Sequence, residues 1–255
     1  EVAKGGALSP YRYVDLDHLT QALAPYVAPA LRIEDVMANL PPVTDETRWC
    51  DLEPSAARVY RQLEREMVAE LDAGTITAGN ALTKLLRLSQ LTGGAVPTEN
   101  GDAVVISRAK LNLLLEVLEG LDEDGVVFAR FRSEIDAIRA AAPRPTLELS
   151  GRHNDLAAWQ RGDTPILVVQ PQAGGLGVSM ARAAVVIFYS LSYSLAEWEQ
   201  ARARVMGSEQ TRPVMIISLL ARATVDEHVH AALRDKRDMA TALLAALGRS
   251  WRTDE

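Results

Sequence analysis

Beyond residue 120, apolar runs too short to be helices recur between stretches of helical spacing. VVF at 126–128, ILVV at 166–169, AAVVIFY at 183–189 and VMIISLL at 214–220 contain no polar alternation. Such runs must bury both faces, which a sheet covered by helices on each side allows. The intervening SEIDAIRAAA, DLAAWQRG and SLAEWEQARARVMG have helical patterns, and Thr146–Leu149 adds one more strand. Strands alternating with helices in this way predict an α/β domain built on a parallel sheet.

The first hundred residues read differently. Between Asp15 and Asn39 apolar residues fall at mixed helical spacing, interrupted by Pro25 and Pro29, which predicts short successive helices. Pro41 and Pro42 stop them, and TRWCDLEP is a short candidate strand. Pro54 suits a first helical turn, and Ala56, Tyr60, Leu63, Met67 and Leu71 continue an amphipathic helix. A second helix, 81–94, is closed by glycines. The expected organisation is therefore a mainly helical region over 1–100, then an α/β domain over 101–255. That domain should end in a long helix, with Thr224 as N-cap, Asp226 and Glu227 in the first turn and Gly248 as a stop.

Composition narrows the function classes. With 27 basic and 34 acidic side chains the formal charge is −7, which argues against a protein that coats nucleic acid by bulk positive charge. Aromatic content of 5% disfavours base stacking as the main recognition mode, leaving backbone phosphate as the expected contact. Cys50 is the single cysteine, and no cysteine–histidine cluster has metal-ligand spacing, so neither an internal disulfide nor a metal site is expected. No run is long enough for a transmembrane helix, and EVAKGGALSP lacks the features of a signal peptide. The expectation is a cytoplasmic protein, of bacterial or phage-like origin, without a membrane partner.

QPQAGGLG at 170–177 follows the strand-like ILVV and poses the functional question. A phosphate-binding loop would lead directly into a helix and place a lysine beside Ser or Thr, and GGLGVSMARA has no lysine. A dinucleotide fold would want its glycines after the first strand and an acidic residue after the next one. Both readings fail.

The downstream sequence supplies an answer. QAGGLGVSMARAAVVIFYS is followed by EQARARVMGSEQTRPVMIISLLARATVDEHV, an order that resembles Swi/Snf-type DNA translocases, helicase-like ATPases of superfamily two. Ala173, Gly174, Gly175, Leu176 and Gly177 match the A-G-G-x-G loop of motif V. Gln200, Arg204, Gln210, Thr211, Pro213 and Val214 match motif VI in register, and Thr224 to Glu227 match the segment after it. VVFARF resembles motif IV, LELSG the next strand and its glycine, and LRIEDVMANLPPVTDETRWCDLEPSAARVYRQLE the family's connector. The resemblance covers nearly the whole chain and implies a RecA-like parallel sheet with helices on both faces, preceded by a mainly helical region.

It also implies roles. Arg204 would be the arginine finger, with Gln200 one helical turn before it on the same face. Backbone N–H groups of Gly174, Gly175 and Gly177 would approach a DNA phosphate or the nucleotide, since glycine lets main chain come close. Arg130 and Arg132, bracketing Phe131 after motif IV, Arg152 after Gly151, and Gln172 before the glycine loop are the further candidates for DNA backbone contact. Arg202, two residues from Arg204, is expected to be a surface charge. His153, His228 and His230 are expected to be structural.

Two departures qualify the resemblance. The second arginine of motif VI falls at Gly207, and the family's following glycine falls at Glu209. No G-x-x-x-x-G-K-[ST] and no D-E-x-H occurs, so ATP and Mg2+ would be held mainly by a first RecA-like lobe in the same longer chain or a split partner. The chain alone is expected not to hydrolyse ATP. The implied function is the C-terminal lobe of an ATP-dependent double-stranded DNA translocase. The alternative is a non-catalytic DNA-binding or protein-docking lobe, and strand separation is disfavoured because no separating element is seen.

Overall fold

A computed structural model describes residues 41–72, 78–98, 102–173, 178–207 and 209–236. Contacts divide the chain into Glu1–Leu40 and Pro41–Glu255. The first unit, with the short helices expected there, lies outside the described residues, as do residues 237–255 and the Gly248 stop.

In chain order the described elements are β1 (Val43–Cys50), α1 (Pro54–Asp72), α2 (Ala78–Gly93), β2 (Ala95–Pro97), β3 (Ala103–Val105), α3 (Ala109–Glu119) and β4 (Gly125–Phe128). They continue with α4 (Arg132–Ala141), β5 (Thr146–Leu149), α5 (Leu156–Arg161), β6 (Ile166–Val169), β7 (Val185–Phe188), α6 (Leu195–Val205), β8 (Val214–Ala221) and α7 (Val225–Arg234). Six strands form one sheet in the order β1-β8-β7-β4-β6-β5, and every neighbouring pair is parallel. β2 and β3 make a small antiparallel hairpin that was not expected.

The uniform apolar runs do what their composition demands. Val126, Phe128, Leu167, Val169, Val186 and Phe188 point to one face, where they pack with side chains of α1, α2, α6 and α7. Their alternates Val127, Ile166, Val168, Val185 and Ile187 point to the other, against α3 and α4. Period-two alternation thus sends neighbours to opposite cores. Each fully buried side chain of this kind contributes about 1.5–3 kcal/mol relative to exposure.

The boundary expected near residue 100 is not where the contacts divide the chain. β1 runs in register beside β8, from Val43 opposite Val214 to Cys50 opposite Ala221, so the strand read from TRWCDLEP becomes an edge of the sheet. α1 then buries Ala56, Tyr60 and Met67, and the Tyr60 hydroxyl accepts from the Val225 N–H at 2.6 Å, satisfying a donor at the start of α7. Thr224 caps α7 as expected, its hydroxyl accepting from Asp226 N.

Candidate nucleotide and DNA interface

Because β4, β5, β6 and β7 are parallel, the loops that follow them leave the sheet at one edge, where open α/β sheets carry their sites. Those loops hold Arg130–Arg132, Ser150–Arg152, Gln170–Gln172 and Ser190–Tyr193. Hydrogen bonds join them. Gln170 Nε2 donates to Arg130 O at 3.2 Å, and Gln170 N donates to Leu149 O at 2.8 Å. Arg130 N donates to Ser190 Oγ at 2.9 Å.

The helix expected to carry motif VI is α6, and its start is well defined. Ser194 caps it by accepting from Glu197 N at 3.3 Å, and the Glu197 carboxylate accepts from Ser192 Oγ at 2.5 Å. Gln172 reaches across to the same carboxylate at 3.3 Å. This residue, expected to face DNA, is therefore exposed and joined to α6. Glu197 was not singled out from the sequence, although S-x-x-E before an apolar run is the signature of a capped helix start.

Arg204 lies in the last turn of α6, half-buried, with Nη1 3.4 Å from the Pro171 carbonyl. Burial lowers the pKa of its guanidinium. Its own carbonyl accepts from Met180 N at 2.7 Å, so the chain on both sides of the glycine loop touches this one residue. Gln200, one turn earlier, is exposed. Gly174, Gly175 and Gly177 lie outside the described residues.

Gly207 follows the end of α6 in unstrained backbone. A Cβ built there meets nothing nearer than the Ala203 carbonyl, at 3.9 Å. Backbone space did not require glycine. Gln210 is buried and structural, with Nε2 donating to Ala183 O at 2.8 Å and Val205 O at 3.3 Å.

The arginines expected at DNA differ in their availability. Arg130 Nη1 donates to Leu191 O at 2.9 Å, and the guanidinium lies 5.3 Å from the Phe131 ring and 4.8 Å from that of Tyr193. Its Nε is buried without a hydrogen bond among the described residues. Arg152 binds Asp136 through both terminal nitrogens, at 2.7 and 3.3 Å, and Glu148 at 3.2 Å. Arg132, the first residue of α4, is exposed.

Arg202 is more than the surface charge expected of it. It makes a two-pronged ion pair with Asp45 of β1, the second contact at 3.0 Å, and stacks 4.6 Å from the Trp198 ring. The sequence could not reveal a partner 157 positions away. Among the described residues no group of three or more potential metal ligands clusters, and no helix is long and apolar enough to cross a membrane.

No protein-family model matches the chain. It is 28% identical over 239 residues to the zebrafish (Danio rerio) chromodomain-helicase-DNA-binding protein 1-like, covering 85% of this chain and 23% of that protein. Its fold matches the C-terminal part of the Fun30 ATPase domain with a TM-score of 0.66 at 16% identity, over 85% of this chain and 100% of that one. The SWI2/SNF2 ATPase core of Sulfolobus solfataricus in complex with dsDNA matches at 0.61 and 21%, over 92% of this chain and 53% of that one. The chain spans about half the length, or less, of the first curated relatives it matches, one of them a phage protein. Its fold is that of the C-terminal part of SWI2/SNF2-type ATPase domains, and its sequence is similar to that of a helicase-named relative.

Proposed function

We propose that this chain is the C-terminal helicase lobe of an ATP-dependent double-stranded DNA translocase, and that residues 101–255 carry its motifs IV, V and VI. The observation that supports the reading is the approach of Arg204 to the Pro171 carbonyl, at the start of the loop in which the resemblance expects motif V. A half-buried guanidinium is suited to this task, because a cation shielded from water stabilises developing phosphoryl charge more strongly than a solvated one.

ATP with Mg2+, held mainly by a first lobe, supplies the phosphoryl group when bound. This chain's part is electrostatic and positional. Arg204 meets the developing charge as the lobes close, and Gln200, exposed on the same helical face, lines the interface between them. The backbone of Gly174, with Gln172 and Arg132, contacts DNA phosphate, and that of Gly175 and Gly177 faces the nucleotide. Arg130 and Arg152 join that contact only by exchanging their internal partners. Opening and closing then shift the lobe along the duplex.

The test is Arg204→Ala in a protein that pairs this lobe with a phosphate-loop lobe. Loss of an arginine finger costs about a thousandfold or more in turnover. DNA-stimulated ATP hydrolysis should fall by that order while DNA binding persists, and turnover within threefold of wild type would overturn the assignment.

A second reading, a lobe retained as a DNA-binding or docking scaffold, draws on Gly207 and on the internal engagement of Arg130 and Arg152. Gly207→Arg separates the two. The backbone has room for a Cβ at this position, so a large gain in turnover marks a weakened motor, and a lobe with no turnover before or after the change is a scaffold.

A further inference from the structure

The first helix of the unit carries a charge pattern that the motifs leave unused. α1 buries Ala56, Tyr60 and Met67 and turns Arg58, Arg61 and Arg65 to the opposite side, where all three are exposed. At 100° per residue these positions fall within an arc of about 60°, and at 1.5 Å per residue they span about 10 Å of helix axis.

None of the three makes an ion pair or a side-chain hydrogen bond among the described residues, and of the other described arginines only Arg108 and Arg132 share that condition. Among the described residues no carboxylate of α1 forms an ion pair with the stripe. Glu66 is bound by Gln62 at 3.1 Å, and Glu70 pairs with Lys84 at 2.7 Å. Glu64 lies towards the buried side, where burial raises its pKa and the field of Arg65 opposes that rise. Like charges at i+3 and i+4 repel, so the stripe is held at a cost in a chain of net charge −7.

We propose that the outer face of α1 is a second, sequence-independent contact for the phosphate backbone of duplex DNA. Three forked guanidinium groups suit phosphate oxygens. About 10 Å of duplex axis presents about three phosphates on each strand, one for each arginine. The choice of duplex DNA as the polyanion rests on the function proposed above.

The experiment titrates the 255-residue chain with a 30-base-pair mixed-sequence duplex between 50 and 200 mM salt. It compares wild type, the triple variant Arg58→Ala, Arg61→Ala, Arg65→Ala, and the triple variant with lysine at the same positions. The alanine variant should lose at least tenfold in affinity at low salt, and its slope of log K against log salt should flatten by about 2 to 3. The lysine variant should keep most of the slope, and neither variant should have a lower thermal midpoint than wild type. An unchanged slope in the alanine variant, or no duplex binding by the wild type, overturns the proposal. So does capture of an acidic peptide by the stripe with duplex binding unaffected. Loss of turnover in Arg204→Ala alongside an unchanged α1 slope removes this inference and leaves the motor reading standing. The opposite pair of results does the reverse.

Discussion

Lys110 and Asp226 face each other inside the protein, Nζ 2.5 Å from Oδ2, with side chains 1% and 8% exposed. The pair joins α3 to α7, and Asp226 also accepts from Thr92 Oγ1 of α2 at 2.9 Å and from Ala221 N at the end of β8 at 3.0 Å. One carboxylate therefore ties three helices to a strand. Lys110→Ala should leave that carboxylate buried and uncompensated, at a cost of about 3–5 kcal/mol. Chemical denaturation would measure the loss. The double variant Lys110→Met, Asp226→Leu should be less destabilised than either single change, since no lone charge is then buried.

Glycine positions separate equally clearly. Gly94 has φ +105°, and a Cβ there would sit 2.6 Å from the Ser107 carbonyl. Gly94→Ala should cost about 1–3 kcal/mol from backbone strain alone. Gly207→Ala, in open and unstrained backbone, should stay within about 0.5 kcal/mol of wild type. Urea midpoints of the two variants check the contrast.

Glu148 sets an acid limb. Burial by itself would raise its carboxyl, but the Ser150 hydroxyl, Arg152 and Arg139 together hold it below its ordinary 4.5. A folded-state value below the unfolded one stabilises the protein above the unfolded value, and that contribution is lost as pH falls through the lowered one. Glu148→Gln should flatten the decline of stability below about pH 4.5. Thermal midpoints across pH 3 to 6 would show it, and an identical acid limb in the variant would refute the role.

Arg202 couples α6 to the sheet edge. Arg202→Ala should cost about 1 kcal/mol, the sum of a partly solvated Asp45 pair and a Trp198 cation–π contact. Arg202→Lys should recover only part of this, since an ammonium lacks the planar fork. A double-mutant cycle with Asp45→Ala isolates the pair, and a coupling near zero would leave the stack alone responsible.

Much of the lobe was legible from local pattern. The runs at 126–128 and 166–169 are apolar on both sides, as a sheet covered on both faces requires. The Thr224 cap and the Pro54 helix start were readable because each depends on residues within a few positions. The β2–β3 hairpin, whose strands have three residues each, was too short to leave a periodic signal. The attachment of β1 beside β8 was equally hidden, since no local pattern encodes a neighbour about 170 residues away.

The candidate site divides along the same line. Its motif residues, Arg204, Gln200 and the glycines of 174–177, are a matter of order and spacing, which the chain carries in one dimension. Whether a given arginine is available is a matter of what stands next to it in three. Arg130 sits against Phe131 and Tyr193, Arg152 is held by Asp136 and Glu148, and Arg58, Arg61 and Arg65 share one helical face with no ion pair among the described residues. The amino-acid sequence by itself determined the α/β class and the motif order, because hydrophobic period and motif spacing are local. Only the tertiary structure decided which charges are paired, because ion pairing depends on distances that folding alone creates.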